Sequence, residues 1–366
     1  MNKPKVLVVF GTRPEVVKMA PIIRHLKGDS SVDTFILSTS QHKEMLQQML
    51  ETFEIKTDLD LDVMTNNQTL PSLTAKLPEP LDQALRSINP NLVLVQGDTT
   101  TTFMASLACY YRKIPLCHVE AGLRTGQPYA PFPEEINRVL ISRLATWHYA
   151  PTAHAKQNLL NEGIEDTRIL VPGNPVIDSV DWILKTPPKG VSKPDSKTLF
   201  VTTHRRENIG KPQEAICKAL LDLVDSRDDL HILCTVHPNP NVKRTIDRYL
   251  KHHPKITLLK PLEYSTLIHT LKHVDLILSD SGGIQEEATR LQIPLLILRD
   301  VTDRPEGVIL GAAHLVGTDP EKIKTSVQNL LDTPSPSPES INIYGDGSAG
   351  KRIADHVKSL VTSSRR

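Results

Sequence analysis

The chain has 366 residues, of which 39% are hydrophobic and 23% are charged, so it can bury sizeable apolar cores as a globular protein. Lys and Arg total 43 against 42 for Asp and Glu, and this balance provides no overall field that would draw nucleic acid or an anionic membrane. No apolar run approaches the ~18 residues of a membrane span, and the apolar run near the N-terminus is too short for a signal peptide. We expect a soluble protein that binds neither nucleic acid nor membrane.

The cysteines are few and scattered. Cys109, Cys117, Cys217 and Cys234 lack CxxC spacing, and three of them lie in apolar stretches. This pattern favours reduced thiols in the core over disulfides or a zinc site. A cytoplasmic location fits reduced thiols best.

Short β-branched runs alternate with amphipathic helical patterns along the first half of the chain. Strands are predicted over residues 6–10, 34–37, 92–96, 116–120, 147–150 and 169–171. Continuously apolar strands separated by helices are typical of a parallel sheet that is covered on both faces.

A segment rich in Pro, Lys and Ser predicts a linker over residues 185–197. The alternation then resumes, with strands predicted over residues 199–202, 232–236, 256–259, 276–278 and 295–298. We therefore predict an α/β protein with two Rossmann-like, doubly wound parallel-sheet domains, which cover residues 1–184 and 198–350, followed by a last helix over 351–366. Ligands of such sheets bind beyond the carboxyl ends of the strands, so we expect the two domains to face a cleft.

The segment 279–287 joins a predicted strand to a predicted helix through a pair of glycines. Free backbone N–H groups and the positive end of the helix dipole at Ser281, Gly282 and Gly283 suit an anion, and diphosphate is the expected guest. Glu287 is an acceptor suited to sugar hydroxyls. An ordinary strand-to-helix turn has the same pattern.

Polar residues also follow the first strand. Thr12 and Glu15 are spaced as a capping box at the start of a helix, which would project Arg13 and Lys18 toward the strand ends. These cations could hold an anion. Alternatively, the helix is simply well capped and its arginine is solvated.

Four carboxylates in the first half are candidates for chemistry. Asp98 follows a predicted strand, Glu120 ends one, and Glu134 and Glu135 lie in the first turn of a helix. Asp98 could instead be a helix N-cap, and acidic residues in a first turn also complement the helix dipole.

In the second half, His204 follows a strand within the run Thr-His-Arg-Arg-Glu-Asn, which could bind phosphate or supply a proton, or could be a surface cluster of salt bridges. Arg304, beyond a later strand, could close over the anion at the glycine pair. Residues 345–350 formally match GxGxxG, but they follow a loop and are interpreted as the start of the last helix. The sequence contains no GxxxxGK[ST], HExxH or GxSxG motif and no metal-ligand cluster, so we expect neither a metal nor a cofactor.

Seven motifs together resemble the bacterial, non-hydrolysing UDP-N-acetylglucosamine 2-epimerases over nearly the whole chain. In chain order they are GTRPEVVKMAPI, QGDTTTTF, HVEAGLRTG, PFPEEINR, THRREN, SDSGGIQEEA and DRPEG. The resemblance implies two Rossmann-like domains arranged as in GT-B glycosyltransferases, with UDP bound by the second. It also implies a homodimer that interconverts UDP-N-acetylglucosamine and UDP-N-acetylmannosamine without a redox cofactor. Gln96 stands where the family usually has His.

The resemblance also implies roles for individual residues. The residues that would transfer protons or stabilise charge are Asp98, Glu120, Glu134 and His204. The residues that would hold UDP are Arg13, Lys18, Ser281, Gly282, Gly283, Glu287 and Arg304, with Glu287 on the ribose. A second substrate molecule would act as activator near Gln41, His42 and Gln68, although Asn67 stands where some members have Arg.

Three alternatives stay open from the sequence. A hydrolysing epimerase would share nearly all the motifs but release UDP and N-acetylmannosamine. A GT-B glycosyltransferase would share the diphosphate-binding turn but need an acceptor. A non-catalytic sensor of sugar nucleotides would have no use for Asp98, Glu120 and Glu134 together.

Overall fold

A computed structural model of the chain describes residues 3–40, 43–63, 65, 68–187, 195–332 and 342–363. The chain divides into two compact units. Unit 1 comprises Met1–Asp181 and Tyr344–Arg366, and unit 2 comprises Trp182–Ile343. Unit 1 is therefore built from two separate segments, between which the chain forms unit 2.

The sheet of unit 1 has seven strands in its described part, in the order β3-β2-β1-β4-β5-β6-β7. All pairs are parallel; Leu7 on β1, for example, is in register with Phe35 on one side and Val93 on the other. The strands are β1 (Lys5–Phe10), β2 (Asp33–Ser38), β3 (Leu59–Asp60), β4 (Leu92–Gln96), β5 (Leu116–Val119), β6 (Trp147–Tyr149) and β7 (Ile169–Leu170). The helices that follow them are α1 (Arg13–Lys27), α2 (Lys43–Thr52), α3 (Leu70–Lys76), α4 (Pro78–Ile88), α5 (Thr100–Tyr111), α6 (Glu134–Leu144), α7 (Ala153–Asn161) and α8 (Pro175–Leu184).

The sheet of unit 2 repeats this architecture with six described strands in the order β10-β9-β8-β11-β12-β13, again all parallel. Its strands are β8 (Lys197–Thr202), β9 (Leu230–Thr235), β10 (Ile256–Leu259), β11 (Leu276–Ser279), β12 (Leu295–Ile297) and β13 (Ala313–Leu315). Its helices are α9 (Lys211–Ser226), α10 (Pro240–Leu250), α11 (Tyr264–Leu271), α12 (Gly282–Leu291), α13 (Pro305–Ile309) and α14 (Pro320–Leu331).

The last helix, α15 (Ala349–Ser363), packs on α1 of unit 1. The contact is close, because a Cβ added at Gly350 would lie 2.5 Å from Cβ of Pro21. Asp178 on α8 accepts the backbone N–H groups of Ala349 at 3.2 Å and Gly350 at 2.9 Å, and burial raises the pKa of this carboxyl to about 6. The chain that returns from unit 2 is thus fastened to the unit in which it began.

The prediction of two parallel-sheet α/β domains is confirmed, and each of the predicted strands is present. Strands β1 and β4 are buried on both faces along nearly their whole length, as their continuous apolar sequences predict. The short edge strands β3 and β13 were not predicted. The four cysteines are free and buried, and burial raises the pKa of each thiol to about 12. No helix in the described part of the chain is long and apolar enough to cross a membrane.

Candidate active site

Glu120 occupies the carboxyl edge of the unit 1 sheet, immediately after β5. Its φ of 63° places the backbone in the left-handed region, which is uncommon for a residue other than glycine. The buried carboxylate accepts hydrogen bonds from the Lys18 ammonium, from the Gln96 side-chain amide and, at 3.0 Å, from Nδ2 of Asn174. These donors come from α1, from the end of β4 and from the segment before α8. The strand order brings them together, because β1, β4 and β5 are neighbours and their carboxyl ends share one edge.

A second buried carboxylate, that of Glu15, joins the turn after β1 to the turn after β4. It accepts the backbone N–H groups of Gly11 at 3.0 Å and Thr12 at 2.7 Å. It also accepts the hydroxyls of Thr99 at 3.0 Å and Thr102 at 2.8 Å. Burial raises the pKa of Glu15, while the hydrogen bonds favour its ionised form. Glu15 therefore fixes two strand-end turns relative to each other.

Asp98 lies in the turn after β4 and faces the start of α6. Its Oδ2 lies 3.3 Å from Nε of Arg138, and its backbone carbonyl accepts Nδ2 of Asn137 at 2.9 Å. The alternative reading of Asp98 as a helix N-cap is wrong, because Thr99 is the cap and accepts the N–H of Thr102 at 3.1 Å. The Asp98 carboxylate, about a quarter exposed, does not cap α5.

The two carboxylates at the start of α6 have different surroundings. Glu135 is buried and accepts the backbone N–H groups of Thr125 at 3.0 Å and Gly126 at 2.9 Å, so it shapes the loop before α6. Its Oε2 also lies 3.5 Å from Nε of Arg138. Glu134 is only partly buried.

In unit 2, Asp280 organises the edge of the sheet. It follows β11, is fully buried, and accepts the backbone N–H groups of His204 at 3.1 Å and Arg205 at 3.0 Å and Nδ2 of Asn208 at 2.9 Å. Nδ1 of His204 also lies 3.3 Å from Oδ1 of Asp280. A buried carboxylate at Nδ1 orients an imidazole and leaves Nε2 directed outward. The His204 ring is about one third exposed and stacks on the ring of His237 at 6.2 Å between centroids.

The glycine pair begins α12, as its sequence predicts, with Ser281 at the N-cap position. The Arg304 guanidinium lies directly against this helix start, because a Cβ added at Gly282 would come within 2.8 Å of its Nη1. Two carboxylates hold the guanidinium there: Nε donates to Oε1 of Glu286 at 2.8 Å, and Nη1 lies 2.9 Å from Oδ1 of Asp303. Backbone N–H groups, a helix dipole and a fixed guanidinium therefore coincide at one point.

Arg299 adds a buried guanidinium to the same edge. Its Nη1 and Nη2 have no hydrogen-bond partner in the described part of the chain. The nearest carboxylates lie at ion-pair distance, with Glu207 at 3.7 Å from Nε and Asp303 at 3.9 Å from Nη1. Burial lowers the pKa of Arg299, and the positive charges of Arg205 and Arg304 lower it further. This edge of unit 2 is therefore suited to a polyanion.

Among the described residues, no group of three or more His, Cys, Asp and Glu side chains is arranged to hold a metal ion.

The family model described as UDP-N-acetylglucosamine 2-epimerase matches residues 24–358. The UDP-N-acetylglucosamine 2-epimerase of Escherichia coli strain K12 is 44% identical, and the alignment covers 97% of this chain and 98% of the relative. The chain belongs to the UDP-N-acetylglucosamine 2-epimerase family. The crystal structure of UDP-GlcNAc 2-epimerase from Neisseria meningitidis bound to UDP-GlcNAc is similar with a TM-score of 0.91 and 41% identity, covering 96% of this chain and 99% of that one. The S. aureus MnaA–UDP co-structure is similar with a TM-score of 0.91 and 40% identity, covering 98% and 97%.

The family resemblance is thus confirmed, while the assignment of individual site residues stays a prediction. In unit 1, Lys18 is an ion-pair partner of Glu120, and Arg13 is partly exposed at the first position of α1. Of the residues predicted to be regulatory, Gln41 and His42 lie outside the described part of the chain.

Gln68, the remaining regulatory residue, is described, and its Oε1 accepts the N–H of Thr65 at 2.9 Å. In unit 2, Glu287 is buried on α12, one turn beyond Gly283.

Several polar residues at these sheet edges were not predicted as site residues, among them Gln96, Arg138, Asn174, Asp280 and Arg299. The sequence around Asp280 could have indicated its role. An acidic residue between an apolar strand and a glycine pair is expected to be buried, and a buried carboxylate needs neighbouring N–H groups as hydrogen-bond donors. Arg138 lies one helical turn beyond Glu134, so helical spacing could have paired them. Asn174 had no local signal, because its partner is 54 residues away.

Proposed function

We propose that this chain is an isomerase that interconverts UDP-N-acetylglucosamine and UDP-N-acetylmannosamine by inverting C2. The observation that carries the proposal is the family match over nearly the full chain, to relatives that bear this name. The strand-end polar clusters of both units provide groups that suit the reaction.

The proposed route is elimination followed by re-addition. The proton at C2 is poorly acidic, because no carbonyl group neighbours it. Departure of UDP from C1 makes its removal possible, and the products are a glycal and UDP. Re-addition of UDP with return of the proton to the opposite face gives the epimer. The route needs donors for the departing diphosphate and acid–base groups for the sugar.

Unit 2 has the features of the diphosphate site. In the proposal, the phosphates are bound by the Ser281 hydroxyl, by the backbone N–H groups of Gly282 and Gly283 and by the Arg304 guanidinium, because a helix N-terminus and a guanidinium both favour phosphate oxygens. The Ser281 backbone N–H donates to Oγ of Ser279 at 3.0 Å and is not part of this set. Glu287 accepts hydrogen bonds from the ribose. The negative charge that develops on the leaving group is then met by groups already in place.

In the proposal, the residues that transfer protons or stabilise charge are Asp98, Glu120, Glu134 and His204. Lys18 stabilises the ionised form of Glu120, and Asp280 orients the His204 imidazole. In the proposal, Lys18 therefore has two roles. It helps to bind UDP, and it is the counter-charge of the Glu120 carboxylate.

In unit 1, Arg13 is partly exposed at the first turn of α1 and would add a second cation for UDP. Asp98, whose Oδ2 lies 3.3 Å from Nε of Arg138, is a second carboxylate with a cationic neighbour.

We further propose a cytoplasmic homodimer that needs no cofactor and supplies precursors of surface polysaccharide. Light scattering coupled to gel filtration distinguishes a dimer from the 40.7 kDa monomer. Activation through Gln41, His42 and Gln68 predicts that UDP-N-acetylmannosamine alone reacts poorly until UDP-N-acetylglucosamine is added. A hyperbolic response without it contradicts activation.

Incubation with UDP-N-acetylglucosamine in deuterated water, followed by NMR, tests the proposed reaction. The expected result is deuterium at C2 in an equilibrium mixture of two intact UDP-sugars. Release of free N-acetylmannosamine and UDP would identify a hydrolysing epimerase instead. UDP release that depends on an added acceptor would identify a glycosyltransferase. Binding of the UDP-sugar without deuterium exchange or cleavage would identify a non-catalytic sensor of sugar nucleotides.

A further inference from the structure

We propose that Asn174 is a positioning residue that holds the Glu120 carboxylate in its reactive orientation. This inference rests on the proposed function, because it takes Glu120 as one of the groups that transfer protons or charge.

The orientation of the Asn174 side-chain amide is fixed, with its nitrogen toward Glu120. The side chain is fully buried, and its Oδ1 accepts the backbone N–H of Val176 at 3.2 Å, in the first turn of α8. Nδ2 on the other side donates to Oε1 of Glu120 at 3.0 Å. Because the oxygen is committed to a backbone N–H, the amide cannot reverse without losing both bonds.

The backbone at Asn174 is equally fixed. Its N–H donates to the carbonyl of Tyr344 at 2.7 Å, where the chain returns to unit 1. The two chain segments cross at Gly173 and Gly345, whose φ angles of 97° and 121° favour glycine. A Cβ on Gly173 would lie 3.1 Å from Cα of Gly345 and from the Tyr344 carbonyl oxygen, so only glycine permits this approach. Asn174 is thus anchored where two segments of backbone touch.

The donors around Glu120 share its two oxygens. Lys18 and Asn174 both donate to Oε1, and Gln96 donates to Oε2. Two of the three donors are neutral amides, which fix the plane of the carboxylate without adding charge. Orientation of a proton-transferring group is worth a large factor, because misplacement by 1 Å can cost ~100-fold in rate.

The titratable groups that face Glu120 include Lys18 from α1 and His118 from β5. Burial lowers the pKa of His118 to about 3, so this imidazole is neutral at physiological pH. A carboxylate introduced at position 174 would therefore meet Glu120 with Lys18 as the shared cation. Two carboxylates at such a distance resist ionising together.

The test compares Asn174→Ala and the nearly isosteric Asn174→Asp with a matched control, Asn158→Ala. Like Asn174, Asn158 has a side-chain amide that donates a hydrogen bond. Its Nδ2 donates to the backbone carbonyl of Gly122, in the loop after β5, at 2.9 Å and does not contact Glu120. The measurements are kcat and KM for UDP-N-acetylglucosamine across pH 5 to 9, with the unfolding temperature of each variant.

Asn174→Ala should lower kcat ~10- to 100-fold and change KM less than about 3-fold, since the substrate contacts are intact and the orientation is lost. Asn174→Asp should move the acidic limb of the kcat/KM profile upward by about one pH unit or more. Asn158→Ala should lower the unfolding temperature and leave the profile in place.

Wild-type kcat and an unshifted profile in the position-174 variants would overturn the inference, as would an equal shift in Asn158→Ala. If Asn174→Ala does not fold, the profile of Asn174→Asp decides. A wild-type chain that exchanges no deuterium at C2 removes the proposed function together with this inference. An active wild type with unaffected variants removes only the inference.

Discussion

Glu120→Gln is the substitution whose consequences the structure specifies most fully. The carboxylate accepts hydrogen bonds from Lys18, Gln96 and Asn174 and is the counter-charge of the buried Lys18 ammonium. Glutamine keeps the shape but replaces one acceptor oxygen with an NH2 donor. At least one of Lys18, Gln96 and Asn174 must then face a donor, and Lys18 loses its negative partner.

Two separate losses are expected from this change. Loss of general acid–base assistance lowers turnover by at least ~100-fold. Because both side chains of the pair are about 95% buried, removing one charge should also lower the free energy of unfolding by ~3–5 kcal/mol. The double variant Lys18→Met/Glu120→Gln removes both charges, so it should recover most of the stability but none of the turnover.

Urea unfolding measures the stability of the three proteins, and deuterium exchange at C2 measures turnover well below each unfolding temperature. Near-normal exchange by Glu120→Gln, in a fold shown to be intact, would refute the role of this carboxylate. Recovery of turnover by the double variant would show that the single substitution acted through stability alone.

Further predictions concern both units. Asp98→Asn and Glu134→Gln should each lower turnover at least ~100-fold at unchanged KM, and near wild-type rates in both would remove these carboxylates from the mechanism. Gly282→Ala should raise KM for the UDP-sugar ~10-fold or more because its Cβ would displace a guanidinium 2.8 Å away, whereas Gly283→Ala, with its nearest neighbour at 4.0 Å, should raise it less; calorimetric titration with UDP checks the order. Burial raises the pKa of Asp178 from 3.8 to about 6, so its contribution to stability is present below pH 4 and is lost as pH rises to 6. Asp178→Asn should remove about 3 kcal/mol of this pH dependence in urea unfolding, and an unchanged dependence would contradict the assignment.

The regular elements were predictable where local pattern and tertiary environment agree. The strand over 6–10 is apolar throughout and the strand over 92–96 is apolar up to Gln96, and only a sheet covered on both faces buries such runs completely. The edge strands β3 and β13 include the polar residues Asp60 and His314, respectively, so neither forms the continuous apolar run on which the strand predictions rest.

The capping box at Thr12 and Glu15 was also visible in the spacing. Its full role was not, since Glu15 accepts two further hydroxyls from a turn more than 80 residues later. Side-chain partners at such a separation depend on which strands become neighbours, and local pattern carries no information on that.

The amino-acid sequence by itself determined the α/β class, the positions of the strand ends and the epimerase family, because these depend on periodicity and on motifs read one segment at a time. Tertiary structure alone decided which polar groups meet. Glu120 is bound by Lys18, Gln96 and Asn174 only because β1, β4 and β5 lie side by side and the returning chain crosses beside α8. Parallel order places the carboxyl ends of distant segments at one edge, and a buried charge there is stable only where those segments supply its donors.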